Sequence, residues 1–466
     1  MIRRCLDAAL PCLALLTASC SLVPDYRRPD VPVAKAWDGP TTPTGVTARD
    51  AWWRSFGSAE LDALMRQGLQ ANLNLAAAVA RIEEARGVAQ VDAAPLYPQV
   101  TLAGTQSTQH GTRNTSTQDL LVQASYEIDL FGRVRAAAAS GKALAQASAF
   151  DADTVAMTLA ANIANSYLQT LSLAERIRLA QGIADHSRQV LTLIEVRRAA
   201  GTATDLQAQQ QRALMAGFEA AVPVLQFQRD QALHALAVLT GRPPEGFRVR
   251  AETLSDLARP AVAADLPASL LERRPDIRAA EARLISANFD IGVARAAFFP
   301  RLSLAALVGA GAKHLSNPFP PSAVTGFGVA LLQPIFEGGL LEGQLRTNKA
   351  RKLEFIATYR QNVLTALQET EDALSGIDRI SRAEAIAAEA EQAAQKAADL
   401  ANLQYRLGSA DYLTVLTTEQ TLYQAQDALL QLNLQHLQQI VSLFRAMGGG
   451  FDAPNGPQMA AAEGTQ

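Results

Sequence analysis

The amino-acid sequence predicts a mainly α-helical fold that carries a membrane β-barrel, written as two tandem repeats with very long helices. Three observations predict it. Composition is the first: 48% of the 466 residues are hydrophobic but only 6% are aromatic, and alanine fills much of the apolar share. Such a mixture suits long helices in side-by-side contact better than a thick globular core. Internal repetition is the second. Residues 93–102 resemble 296–304, with Pro98 and Pro300 lying 202 positions apart, as do Arg81 and Arg283. Phe131-Gly132 resembles Phe336-Glu337-Gly338 at an offset of 205, and Gly201-Thr202-Ala203-Thr204-Asp205-Leu206 resembles Gly408-Ser409-Ala410-Asp411-Tyr412-Leu413 at 207. Three collinear matches with a slowly drifting offset mean that one structural unit occurs twice. The third is strict alternation. Val122, Ala124, Tyr126, Ile128 and Leu130 alternate with Gln123, Ser125, Glu127 and Asp129, as in a barrel strand between lipid and a wet lumen.

The elements follow in chain order. Residues 1–19 read as a signal peptide: Arg3 and Arg4 supply the positive start, 8–18 the apolar stretch, and Ala18-Ser19 the small residues before Cys20. A Cys directly after them predicts lipoprotein processing, although Thr17 stands where the lipobox usually has Leu. All three cysteines (Cys5, Cys12, Cys20) lie in or at the end of this segment, so the exported chain has no disulfide to rely on. A lipidated segment, 20–60, comes next, followed by the first repeat over 61–240. The second repeat covers 267–450, with a connection over 241–266 and a Gly/Pro/Ala-rich flexible tail over 451–466.

Each repeat has one expected plan. A first helix (61–92; 267–295) leads to two strands joined by a polar loop (110–118; 313–322). A very long helix (134–198; 339–407) then ends at a Gly turn, and a returning helix follows (204–239; 412–447). Residues 134–198 alone make about 100 Å of helix at 1.5 Å per residue, against the ~10–14 residues usual in compact domains. The returning helix 204–239 and the helix 267–295 together match that length, as 412–447 and 61–92 match 339–407. The pairs are therefore expected to stack end to end beside the long helices, forming a hollow helical cylinder with a belt at its waist. Pro223 is expected to kink the first returning helix, and the charges around Pro275 to hold the belt by ion pairs. No apolar run reaches the ~18 residues of a membrane-spanning helix, so any membrane crossing must use strands. Four strands cannot close a membrane barrel, and open edges are not tolerated in lipid. Each protomer must donate its strands to a shared, symmetric barrel.

Several function classes are excluded. Net charge is −3 and no basic stripe with interleaved aromatics occurs, so nucleic acid is not an expected partner. The five histidines are scattered and no CxxC or HExxH spacing is present, which leaves metal chemistry without support. No nucleophile–base or paired-carboxylate arrangement recurs near a Gly-rich loop, so no enzyme and no cofactor is expected.

Across nearly the whole mature chain the sequence resembles the TolC family, specifically the lipoprotein outer-membrane factors that serve resistance–nodulation–division efflux pumps. The resemblance is carried by Cys20-Ser21-Leu22-Val23-Pro24-Asp25-Tyr26 with Arg28-Pro29, Trp53-Arg54-Ser55-Phe56, 126–133, 272–281, Tyr405-Arg406-Leu407-Gly408 and 446–450. It implies a homotrimeric tube with a shared twelve-stranded barrel, four strands per protomer, anchored in outer-membrane lipid through palmitate and diacylglycerol on Cys20. It further implies a periplasmic adaptor at the tunnel tip, an inner-membrane pump that loads substrate, and no chemistry in the duct itself. Alternatives are an exit duct for type I protein secretion and, in another class, a periplasmic coiled-coil structural lipoprotein or stalk. A stalk would need sustained heptads without the alternation of 122–130.

The two Gly turns are the expected working end, since each lets a long helix reverse. Gly201, Thr202, Ala203, Arg406, Gly408 and Ser409 are the expected adaptor-docking residues. Just beyond, Leu413, Thr417 and Gln420 share one helical face at i, i+4 and i+7, matched in the first repeat by Leu206, Gln210 and Ala213. In the family this region constricts the tunnel with an apolar ring and an aspartate ring. Here Leu413 and Leu206 can supply the former, but Thr417 occupies the acidic position and Thr414 the one a turn earlier. The nearby Glu419 is expected to face elsewhere. An aperture closed by leucine packing and neutral hydrogen bonds follows; plain interhelical packing of Leu413 is the alternative.

Overall fold

A computed structural model of the chain describes residues 21–41, 45–46, 51–109, 115–250, 253–264, 266–312 and 322–449. Cys20, the signal peptide, most of both strand-joining loops and the 451–466 tail lie outside the described residues. The chain divides into two compact units. One comprises 21–31, 79–151 and 276–362 and contains all four strands; the other comprises 32–78, 152–275 and 363–449 and is helical.

The elements are α1 (Ala59–Ala71), α2 (Leu73–Ala93), β1 (Gln99–Gln109), β2 (Thr115–Ile128), α3 (Arg133–Ala199), α4 (Asp205–Leu239), α5 (Pro275–Ala296), β3 (Arg301–Ala312), β4 (Ser322–Leu332), α6 (Leu340–Arg406) and α7 (Tyr412–Ala446). Helices α3 and α6 both have 67 residues, and α4 and α7 both have 35. Equal lengths in equivalent places are what a repeated unit produces. Helix α4 runs through Pro223 without ending there, although this residue has no N–H to give to the helical ladder.

The first helix of each repeat departs from expectation. The stretch 61–92 is two helices, α1 and α2, parted at Asn72, whose backbone is extended (φ −70°, ψ 124°). The stretch 267–295 is also interrupted: a single turn, Leu270–Arg273, precedes α5, and Arg274 between them is extended (φ −75°, ψ 120°). Asn72 and Arg274 are 202 positions apart, so the break belongs to the repeat. Local causes differ. Pro275 forbids the α conformation to the residue before it. Asn72 instead caps α2, its Oδ1 accepting from the N–H groups of Asn74 and Leu75, both at 3.0 Å.

Both breaks are held by the same kind of contact. Asn72 Nδ2 donates to the Leu239 carbonyl at 3.0 Å, and Arg274 Nη1 donates to the Ala446 carbonyl at 3.2 Å. Leu239 and Ala446 are the last residues of α4 and α7, so each returning helix ends on the broken helix of its own repeat. This corrects the stacking expected from length, which paired each returning helix with the first helix of the other repeat. Gly241 (φ +72°) seals the first junction, where a Cβ would stand 2.3 Å from the Ala71 carbonyl oxygen. At the second, Arg274 is 3% exposed and bound to Glu369 at 2.7 Å, while Arg445 holds the other Glu369 oxygen at 3.2 Å. Trp52 stacks on Phe444 at 4.9 Å beside this junction.

The sheet has order β1-β2-β3-β4, antiparallel throughout. Its register aligns the alternation of the separate strands. Val100, Ala124, Ala306 and Phe327 form one cross-strand row; Tyr126, Leu304 and Val329 another; Ile128, Leu302 and Leu331 a third. One face is thus apolar across the sheet, and Leu102, Val308, Phe327, Val329 and Leu331 on it are exposed in the protomer. The other face is mixed: Thr101, Gln123, Ser125, Glu127 and Ser303 share it with Leu121, Leu307 and Val324. Among the described residues β1 and β4 each keep one unpaired edge. Where β2 meets α3, Gly132 (φ +75°) turns the chain, Glu127 receives a two-pronged bond from Arg133 (3.0 and 2.7 Å), and Asp129 accepts from the Arg135 N–H at 2.9 Å.

Candidate functional site: the helix-reversal turns

The two turns are built alike, bond for bond. Gly201 (φ +74°) and Gly408 (φ +79°) adopt the left-handed conformation that Gly tolerates. The Thr202 N–H reaches back to the Arg197 carbonyl and the Ser409 N–H to that of Gln404, both at 2.9 Å. With Gly201 bonded to Arg198 and Gly408 to Tyr405, each helix ends in a Schellman motif. The Thr202 and Ser409 hydroxyls donate to the same Arg197 and Gln404 carbonyls. The returning helices start on matched caps: Thr204 forms a capping box with Gln207, and Asp411 accepts from the N–H (2.9 Å) and hydroxyl (2.6 Å) of Thr414. Those two bonds hold the Asp411 carboxyl below its ordinary range.

The expected docking residues divide by environment. Gly201, Thr202, Arg406, Gly408 and Ser409 are exposed, whereas Ala203 is half-buried and packs against the cluster of Ile194, Ala208, Ala401, Tyr412 and Val415. Arg406 has no ion-pair partner among the described residues, while Arg198 is paired with Asp205 at 2.7 Å. Arg197 lies over the Tyr405 ring, 5.0 Å from its centre.

The expected aperture residues lie on the open face. Leu413 is 54% exposed and Leu206 67%, with Thr414 and Thr417 exposed and Gln210 half-buried. The interior of α7 is instead supplied by Tyr412, Val415 and Glu419. Leu413 is therefore not interhelical packing within the protomer. Thr417 donates its hydroxyl to the Leu413 carbonyl at 2.9 Å, and Thr414 donates its own to Asp411, so neither hydroxyl proton is free to point away from the helix.

A polar network that the sequence does not reveal sits just behind this face. Glu419 is 7% exposed and faces away from Thr417. It meets His186 Nε2 at 3.1 Å, and Asn402 Nδ2 donates to it at 3.4 Å. The bond to Glu419 raises the His186 imidazole pKa above its ordinary value, against the opposing effect of burial and of Arg406. Next to it, buried Gln211 donates to the Ser187 carbonyl and hydroxyl, both at 2.8 Å, and accepts from the Tyr412 hydroxyl. Burial, then the Glu419 charge, pushes the Tyr412 hydroxyl pKa up. Residues from α3, α4, α6 and α7 are joined there. Only tertiary packing brings 186, 211, 402 and 419 together, and no local spacing marks them.

The N-terminal segment is seated in the sheet-bearing unit. The Leu22 carbonyl accepts from Arg295 (3.2 Å), Val23 packs on Gly292, and the Pro24 carbonyl accepts from Asn288 (2.7 Å). Tyr26 and Arg28 both bond Glu281, at 3.0 Å and at 2.8 Å through two nitrogens. Residues 22–28 therefore run antiparallel along α5. Ser21 lies against Gly132, 3.7 Å from where a Cβ on that glycine would be.

Against known proteins, the family described as outer membrane efflux protein matches residues 64–242 and 266–449. The chain is 40% identical to the pyoverdine export outer membrane protein OpmQ of Pseudomonas aeruginosa, over 86% of this chain and 88% of that one. It is 33% identical to the outer membrane protein OprJ of the same species, over 94% and 95%. The solved outer-membrane channel OprN superposes with a TM-score of 0.87 at 30% identity, covering 92% of this chain and 99% of that one.

Proposed function

The chain belongs to the outer membrane efflux protein family and is an outer-membrane exit duct of an efflux pump, not an enzyme; we propose that it works as a lipid-anchored homotrimer whose twelve strands close one barrel. The observation that carries this reading is the sheet, with a predominantly apolar face whose outer strands are exposed and, among the described residues, two unpaired edges. Lipid has no water to satisfy those edges, so the strands must find partners in other protomers.

In this reading Cys20 carries the acyl chains. Support comes from Ser21, which packs on Gly132 at the joint between β2 and α3. An anchor at that joint emerges where the apolar strands end. The turns at Gly201 and Gly408 face the adaptor of an inner-membrane pump, with Arg406 as the cation available to it. Leu413 and Leu206 form the apolar closure of the aperture, and Thr417 leaves that closure without a ring of acids.

The cargo is a small molecule delivered by the pump. Deletion of the gene, followed by growth on antibiotics, dyes, detergents and metal ions and by measurement of secreted pyoverdine, tests this. Complementation with wild type is expected to restore one of these phenotypes, and Cys20→Ala to restore it less. No phenotype across the panel, with the protein expressed, would overturn the efflux reading.

A further inference from the structure

Arginines of the described chain commonly sit against carboxylates, as Arg176 does on Asp427 at 2.6 and 3.1 Å. One group does so less closely. A cavity of about 750 Å³ in the helical unit lies between α3, α4 and the segment 244–250. Arg178 of α3, Arg229 of α4, and Arg248 and Arg250 of the segment all line it. Asp230 is the acid of that lining, so four guanidinium charges stand against one carboxylate.

The nearby acids pair with two of the four, Arg178 with Glu175 and Arg229 with Asp230, both at long distance. Arg178 is 4.0 Å from Glu175, whose carboxylate already accepts from the Leu254 N–H at 2.7 Å. Asp256 is held in the capping box of Thr253. Arg229 reaches its neighbour Asp230 only at 3.4 Å, and its buried Nε has no hydrogen-bond acceptor among the described residues. Arg248 donates to the adjacent Phe247 carbonyl at 2.8 Å. Glu60 accepts from the backbone N–H of Arg250 at 2.8 and 3.0 Å.

We propose that this cavity binds a small anion carrying at least two carboxylate or phosphate groups. A guanidinium presents donors in a fork that matches either group. The volume is that of a small-molecule site, and the charge excess exceeds what one monovalent anion would offset. Arginines from two helices and from the connecting segment converge, so the bound anion would brace α3 and α4 against residues 244–250. The proposal is independent of the duct reading.

Titration calorimetry on the full-length protein in a neutral detergent tests it, with citrate and pyrophosphate as probes and acetate as the monovalent control. Saturable binding of citrate or pyrophosphate, at one site per protomer and much weaker for acetate, is the expected result. Which of the two binds tells carboxylate from phosphate recognition. The pairs Arg178→Gln/Arg229→Gln and Arg248→Gln/Arg250→Gln should each weaken it at least tenfold. Arg212→Gln, which removes an exposed ion pair with Glu195 (2.5 Å) outside the cavity, should leave it unchanged. Circular dichroism and gel filtration establish that the variants fold; if a pair does not, single Arg248→Gln on the exposed segment makes the same comparison. Absence of saturable binding by the wild type, equal affinity in the substituted proteins, or an equal loss in Arg212→Gln would overturn the proposal.

Discussion

Thr417 and His186 show what single residues decide near the turns. Thr417 is exposed beside Leu413 with its hydroxyl proton turned back to the helix, so the aperture proposed for this face would offer cations a neutral surface. Single-channel recordings should therefore show weak block by hexaamminecobalt, and Thr417→Asp should deepen it at least tenfold. Strong block of the wild type would contradict the neutral aperture. His186 acts through pH. Bonded to Glu419, its imidazole holds a proton more tightly in the folded protein than in the unfolded chain. Its contribution to stability is therefore fully present below the ordinary value of 6.5 and is lost as pH rises through the raised folded value. The Tm deficit of His186→Gln relative to wild type should be largest near pH 5.5 and shrink towards pH 8.5. A deficit that grows with pH would exclude this assignment. Because the same network joins residues of α3, α6 and α7, mild acid is expected to tighten the helices behind the aperture face.

At the scale of elements, the junctions are where stability concentrates. Replacing Asn72 with Ala removes the cap of α2 and the bond to Leu239, a cost of about 1–2 kcal/mol. Arg274→Met strips a buried cation from Glu369 and leaves the Ala446 carbonyl without that donor, about 2–3 kcal/mol. Denaturant unfolding of the two variants and their combination measures both. The losses should add to within about 0.5 kcal/mol if the junctions share no partner. The long helices, the returning helices and the strand alternation are all legible in the sequence, because each is a local pattern repeated over many residues. The breaks at Asn72 and Arg274 are less so. Pro275 is a local signal that Arg274 must be extended, but Asn72 stands in a stretch whose apolar spacing runs on, and the Leu239 carbonyl that completes its contacts is 167 positions away. Length alone also misassigns which helix each returning helix meets, since equivalent helices of the two repeats have interchangeable lengths. The turns are legible down to their glycines, whereas the Thr204 and Asp411 caps come from the structure. Behind them, Glu419 and Gln211 gain their meaning only from residues on other helices.

For the whole molecule the decisive feature is a four-stranded sheet whose two edges cannot meet. Edge strands β1 and β4 are three strand spacings apart, roughly 14 Å at ~4.8 Å each, whereas a disulfide requires Cα atoms within ~7 Å. Any disulfide between β1 and β4 must therefore join different protomers. The natural cysteines are Cys5, Cys12 and Cys20, so introduced thiols in the strands meet little background. A series combining Leu102→Cys on β1 with Cys at successive positions of β4, such as Phe327, Val329 and Leu331, should give linked dimers and trimers in at least one register on oxidation in membranes. Each single-cysteine parent should remain monomeric on denaturing gels. In the proposed homotrimer three protomers exhaust the edges, so the linked trimer should run as a closed species with no larger ladder. Ladders extending beyond three would mean that the sheets assemble without closing at that number. No cross-link in any register, with the protein inserted in membranes, would mean that the β1 and β4 edges do not pair at all.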